Sequence, residues 1–133
     1  RFDQSVASSA PHALAFDSKR FDTHGMHDPA TSSSRLTCQL AGVYVAVFTV
    51  YWQASGVGER WLWYRLNGTA VLGAVAAAPQ PSGVTIQQCV LPPYRLEVGD
   101  YLECIAYQSS GSGLLVRSIA EYTPEAGIWL IST

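Results

Sequence analysis

Val43 to Trp52 is a run of alternating residues in which neither side is polar. Val43, Val45, Val47 and Tyr51 fall on one face, and Tyr44, Ala46, Phe48, Val50 and Trp52 fall on the other. Successive side chains of an extended chain point to opposite sides, so such a strand is expected to be covered twice. Ile128-Trp129-Leu130-Ile131 has the same two-sided apolar character. Arg35 to Leu40 differs: Leu36, Cys38 and Leu40 share one face and Arg35, Thr37 and Gln39 the other, the pattern of a strand with one wet side. That strand belongs in an outer sheet.

The rest of the chain reads the same way. Strand signals cover 13–17, 35–40, 42–52, 60–66, 69–77, 84–91, 100–108, 113–119 and 126–131, separated by Gly, Pro, Ser and Asn clusters. No segment keeps a helical period. Asn67-Gly68 lies between two apolar runs and is the preferred two-residue hairpin signal, because both central residues of a type I′ turn need positive φ. With Thr69 it also spells a glycosylation sequon, which the hairpin explains without a glycan. Residues 1–12 read as a polar lead-in ordered by a stalk or a neighbouring subunit, and 13–133 as one domain.

Composition narrows the partners. Hydrophobic residues make up 48% and charged residues 14%, more apolar than a soluble monomer of 133 residues needs, so part of the surface is expected to be hidden in an oligomer. The net charge is −2, and Lys19-Arg20 is the one basic doublet, which argues against nucleic acid as a partner. No apolar run approaches the roughly 20 residues of a membrane span, so no membrane insertion is expected. Arg1 to Ser5 form no signal peptide, and the chain starts without Met, which reads as processing or as a piece of a longer protein.

Three stretches carry a resemblance to a known family. They are Phe21-Asp22-Thr23-His24-Gly25-Met26-His27-Asp28-Pro29, then Ala41-Gly42-Val43-Tyr44-Val45-Ala46-Val47-Phe48, then Leu96-Glu97-Val98-Gly99-Asp100-Tyr101-Leu102-Glu103. Arg35-Leu36-Thr37 leads into Gly42, and Tyr122-Thr123-Pro124-Glu125 leads into the last strand. In this order and spacing, from about Ala13 to Ile131, the chain resembles the C1q-like domains of the C1q/TNF superfamily, in a bacterial or phage variant. The resemblance implies an all-β, two-sheet antiparallel jelly-roll sandwich that assembles as a homotrimer. It implies that strands 42–52 and 126–131 line the threefold interface, with Tyr44, Phe48, Trp52 and Trp129 as interface residues. It also makes the strands of Cys38 and Cys104 neighbours, with both thiols inward. A Cys38–Cys104 disulfide and buried free thiols for Cys38, Cys89 and Cys104 are both open.

Two sites stand out on residue chemistry. Trp61 and Trp63 share one face of Arg60 to Leu66, opposite Leu62, Tyr64 and Leu66. If the aliphatic face is core, the indoles point outward and, with Arg60 and Arg65, form a candidate carbohydrate or protein contact surface. Packing under a loop or at a subunit interface is the competing account. Asp22, His24, His27 and Asp28 bring two imidazoles and two carboxylates into one loop, a candidate site for a structural metal ion such as calcium. A solvated loop whose Asp and Gly residues serve turns accounts for the same residues. Gly99-Asp100 reads as a turn.

No Gly-x-Ser-x-Gly elbow, phosphate-binding Gly-rich loop or His-Glu-x-x-His motif is present, and three histidines leave little material for acid–base work. The chain therefore reads as no enzyme. One lysine against seven arginines points to a G+C-rich, bacterial or phage source. The expected function is a trimeric recognition head, extracellular or on a virion surface: the receptor-binding tip of a phage tail fibre or bacterial surface fibre. Its contacts with a host receptor or glycan would use loop 18–34, loop 53–59 and the Trp61/Trp63 face. The alternatives are a virion structural or decoration protein that contacts other virion proteins, and a soluble TNF- or C1q-type ligand.

Overall fold

The alternation of the central run sets the architecture. The computed structural model describes residues 2–19, 22, 24–119 and 123–133. Arg20, Phe21, Thr23 and Tyr122, which belong to loop 18–34 and to two of the family-like stretches, lie outside the described residues. The strands are β1 (Gln4–Val6), β2 (His12–Ala13), β3 (Arg35–Thr37), β4 (Gly42–Trp52), β5 (Arg60–Leu66), β6 (Ala70–Ala77), β7 (Thr85–Leu96), β8 (Tyr101–Gln108), β9 (Leu114–Val116) and β10 (Glu125–Ser132). They form two five-stranded antiparallel sheets, a β sandwich. Sheet I has β4 at its centre, between β7 on one edge and β10 and β9 on the other, with β1 outside β9. Sheet II runs β6-β5-β8, with β2 and β3 side by side on the far edge of β8.

Tyr44, Ala46, Phe48, Val50 and Trp52 are all at most 2% exposed and face sheet II. The ring of Phe48 meets Tyr64 of β5 edge-on with centroids 5.1 Å apart, which fastens the two sheets at mid-height. Leu62, Leu102, Cys104 and Ala106 complete the packing from sheet II. The interface expected at Tyr44, Phe48 and Trp52 is therefore corrected: these three fill the chain's own core and are closed to any partner. Alternation puts Val43, Val45, Val47, Thr49 and Tyr51 on the other side, half-buried.

Buried polar groups tie loops to this core. Trp52 donates its indole N–H to Gln87 Oε1 at 2.9 Å, and Gln87 Nε2 donates to the carbonyls of Arg60 and Val75. Gln108, fully buried, donates to the carbonyls of Val6 and Ser112 and accepts from the Ser110 amide. Gln87 and Gln108 thus bond strand carbonyls, and Gln108 also satisfies the Ser110 and Ser112 backbone of the following turn.

The segment ends differ from expectation for identifiable reasons. Within the expected lead-in 1–12, Gln4–Val6 is ordered by the chain itself: Gln4 and Val6 are buried and β1 pairs with β9. The Gln4 side chain exchanges two 2.8 Å hydrogen bonds with the Ala15 backbone, imitating a strand partner. That bond holds part of the stretch 13–17, of which only Ala13 lies in a ladder. β7 continues past Pro92-Pro93 to Leu96 because both prolines sit on an edge strand at a bulge opposite β4, between the Ala46–Leu91 and Tyr44–Tyr94 pairs.

Gly42 marks the closest approach of β4 and β10. A Cβ there would stand 2.5 Å from Leu130 Cδ1 and 2.6 Å from the Ser132 carbonyl oxygen. The second neighbour is backbone and cannot rotate away. Gly42→Ala is expected to lower stability by about 1–3 kcal/mol, read as an earlier denaturant midpoint with an unchanged slope. An unchanged midpoint would mean that the β4–β10 ladder is not packed this closely.

Candidate functional site

The outward face of sheet I is apolar. Val45 and Val47 of β4 lie beside Trp129 and Gly127 of β10, while Ile86 and Val90 project from β7 with 60% and 54% exposure. Trp129 is 46% exposed and lies back over Gly127, where a Cβ would come within 2.5 Å of the ring. A glycine there lets the indole lie flat, so the face is smooth as well as apolar. Its polar residues are Thr49 and Gln88, bonded to each other at 3.3 Å, with Glu125 opposite Thr49 on β10 and Arg95 opposite Val43 on β7.

The outward face of sheet II has a different chemistry. Pairing of β5 with β8 sets Trp61 opposite Tyr107, Trp63 opposite Ile105 and Arg65 opposite Glu103. Arg65 donates from Nε and Nη2 to one oxygen of Glu103 at 3.2 and 3.1 Å, and Ser34 Oγ donates to the other. The Arg35 guanidinium stacks 4.1 Å from the centroid of Tyr101. Trp61 donates its indole N–H to Glu59 at 3.0 Å, and the rings of Trp63 and Tyr107 are 6.2 Å apart. Of the expected contact residues, Trp61, Trp63 and Arg65 stand together here.

Arg60 does not, and its assignment is corrected. It shares the inward face with Leu62 and Tyr64, is fully buried, and donates to the carbonyls of Ser55, Val57 and Glu59 at 2.9–3.0 Å. Its Nε has no partner, and the guanidinium lies 5.8 Å from the Trp52 ring centroid. Burial lowers its pKa from the ordinary value. Arg60 is thus a positioning residue that fixes loop 53–59 from below.

The expected metal set is also taken apart. The Asp22 carboxylate accepts from the amides of Met26 and His27 and from Lys19. Both ring nitrogens of buried His27 face carbonyl oxygens, Arg35 at 3.0 Å and Phe16 at 2.9 Å. Asp28 caps its own turn through the Ala30 amide and the Thr31 hydroxyl, and His24 is exposed. Among the described residues no group of three or more His, Cys, Asp or Glu side chains is arranged to hold a metal ion. The polar groups of Asp22, His27 and Asp28 are thus each engaged in hydrogen bonds within the chain. An open cleft of about 810 Å³ lies between residues 15–27 and β10 and is lined by Asp17, Asp22, His24, His27 and Glu125 among others; of these, Asp22 and His27 are engaged by backbone.

Cys38, Cys89 and Cys104 are free and buried, so the Cys38–Cys104 bridge is corrected as well. Their strands are neighbours, but Leu36 pairs with Leu102 and Thr37 with Tyr101, which sets Cys38 level with Asp100. Cys104 is four residues further along, roughly 13 Å at strand rise and well beyond disulfide reach. Burial pushes the Cys89 thiol up to about 12 and raises Cys104 as well, so both stay protonated and neither is an activated nucleophile. The sequence matches no protein-family model, and no curated protein matches it.

What sequence reading missed were Tyr101, Glu103 and Tyr107 as companions of the Trp pair. Their alternation was visible, but the β5–β8 pairing that joins the two rows was not.

Two predictions follow from these groups. Without reductant, a thiol reagent is expected to find three reactive cysteines in denaturant and almost none in the native protein; fewer than three in denaturant would restore a disulfide. Burial holds His12 below its ordinary 6.5, so the unfolded chain takes up that proton first. Stability is then full above pH 6.5 and declines as pH falls below it. For Asp22, burial pushes up, but the His27 and Met26 amides and Lys19 together hold it below 3.8; the Asn67 side chain and the Glu97 amide hold Asp100 low. Their contribution is present above that value and is lost as pH falls through the depressed pKa values. Melting temperature should therefore fall in two acid steps, and His12→Gln should abolish only the first.

Proposed function

We propose that the chain is a non-catalytic recognition head that works as a homotrimer. In this reading it is a C1q-like jelly roll at the tip of a phage tail fibre or bacterial surface fibre. The observation that carries the reading is the contrast between the two outward faces. Sheet I presents Val45, Val47, Ile86, Val90 and Trp129, an apolar patch bounded by Thr49, Gln88, Glu125 and Arg95 and of the kind soluble monomers rarely leave open. Sheet II presents rings and paired charges that water tolerates. One face suits burial against other copies of the chain and the other suits a ligand.

Topology supports the jelly roll. After β3 the chain passes from sheet II to I, back to II for β5 and β6, to I for β7, to II for β8, and ends in I. The threefold state comes from the family resemblance. Trp129 retains the interface role that resemblance gave it, and Val45 and Val47 take the places of Tyr44 and Phe48. Three heads on one axis would convert weak single contacts into strong attachment.

Light scattering behind a sizing column, at high and low concentration, tests the assembly. The native protein is expected at the mass of three chains. Val45→Asp and Trp129→Arg, both on the outward face, should yield folded monomers, whereas Tyr44→Asp should not fold, because it buries a charge in the core. A native monomer at all concentrations would sink the trimer.

A further inference from the structure

The outward face of sheet II is more specific than a generic wet surface. Ile105 points out of the sandwich on the same side as Trp63 and Tyr107, yet it has no exposure. Its cross-strand neighbours are Trp63 on β5 and Ala13 on β2, so a burying partner on this face stands directly beside Trp63. Trp61 is held by Glu59, and Trp63 lies against Tyr107 at a 40° tilt. The result is a continuous, half-exposed aromatic floor on strands, held still before any ligand arrives.

Charge decides what suits that floor. The residues around it bring two arginines, Arg35 and Arg65, and two glutamates, Glu59 from loop 53–59 and Glu103. Arg65 is bonded to Glu103, and Arg35 is stacked on Tyr101. The face therefore has no net charge and no excess of cations to draw a phosphate backbone, the feature that single-stranded nucleic-acid platforms add to their rings. An acidic polysaccharide lacks the same attraction. A ligand that complements it is uncharged, has flat C–H faces for the rings, and carries hydroxyls for the carboxylates and guanidinium groups at the margin.

We infer that the surface centred on Trp61, Trp63 and Tyr107 is a binding platform for neutral glycans. Pyranose rings stack on the aromatic floor, with Glu59 and the Arg65–Glu103 pair as hydrogen-bonding groups at its edge. The platform lies within one chain, so single-site binding is independent of the proposed trimer, and only the gain from avidity rests on it.

The test is a tryptophan-fluorescence and saturation-transfer NMR titration of the native protein. The probes are neutral hexasaccharides of glucose, galactose, mannose and N-acetylglucosamine, with heparin as the acidic comparison. At least one neutral hexasaccharide is expected to bind with a dissociation constant of about 1 mM or tighter. Trp61→Ala and Tyr107→Ala should each weaken it by about tenfold, and Trp63→Phe, which keeps a ring beside Ile105, should weaken it less. No neutral binding up to about 10 mM, binding that survives both alanine variants, or a preference for heparin would each overturn the proposal. Trp129→Arg separates the two readings. Glycan binding by a chain that is always monomeric sinks the trimer alone, and a trimer without glycan binding sinks the platform alone.

Discussion

Everything in this fold depends on which face of β4 is committed to the core. Tyr44, Phe48 and Trp52 are larger than their counterparts Val45, Val47 and Thr49, and the larger set turns inward to meet Tyr64 and Gln87. A strand cannot divide this choice, because a slip of one residue would turn every side chain over. Once the aromatic row is inside, the valine row must be outside, and the smooth apolar face of sheet I follows from it. The proposed assembly is thus a consequence of core packing rather than a separate feature laid on it.

The second dependence is polar. One end of the sandwich is made of Gly, Ser and Ala loops that bring little apolar surface of their own, at 53–59 and 109–113. They are held by side chains reaching out from the core: Arg60 beneath the first loop and Gln108 beneath the second. The loops also grip each other, since the Glu59 amide donates to Ser109 Oγ and the Ser109 amide to the Glu59 carbonyl. Burying a guanidinium without a carboxylate among its hydrogen-bond partners is costly, and three carbonyls with an indole face nearby offset that cost only in part. The return is a fixed loop made of residues that would otherwise be the most mobile in the chain.

Much of this was legible in the sequence because it depends on period. The strand cores of β4, β5, β8 and β10, the hairpin at Asn67-Gly68 and the outward turn of Trp61 and Trp63 all follow from alternation and turn chemistry. Asn67 has the positive φ of 51° that the hairpin requires. What alternation cannot give is phase: β4 is apolar on both sides, so nothing local told Tyr44 from Val45. Nor can it give register. Cys38, just past β3, and Cys104, on the neighbouring β8, are both buried, and only the Leu36–Leu102 pairing reveals that they are four positions apart. Arg60 was misread for another reason. Its parity with Leu62 and Tyr64 was plain, but a charge was assumed to seek water, and the carbonyls that draw it inward belong to a loop whose shape is a tertiary fact. The same holds for Gln4, whose amide does the work of a strand residue for Ala15.

The opposed faces also constrain each other. A surface meant to meet copies of itself has to be smooth and dry, and the Gly127–Trp129 arrangement serves that by laying an indole flat against the sheet. A surface meant to meet a polyhydroxylated ligand has to resist that same association, or the chain would pair through both sides and grow without limit. The Arg65–Glu103 and Arg35–Tyr101 contacts provide the resistance: covering them with another copy would strip water from two guanidinium groups with no new partner to replace it. A small neutral ligand can sit on the rings and leave those charges wet at the rim. In the proposed reading the charged groups on sheet II thus have two uses, offering hydrogen bonds at the edge of the aromatic floor and disfavouring burial under a second protein surface.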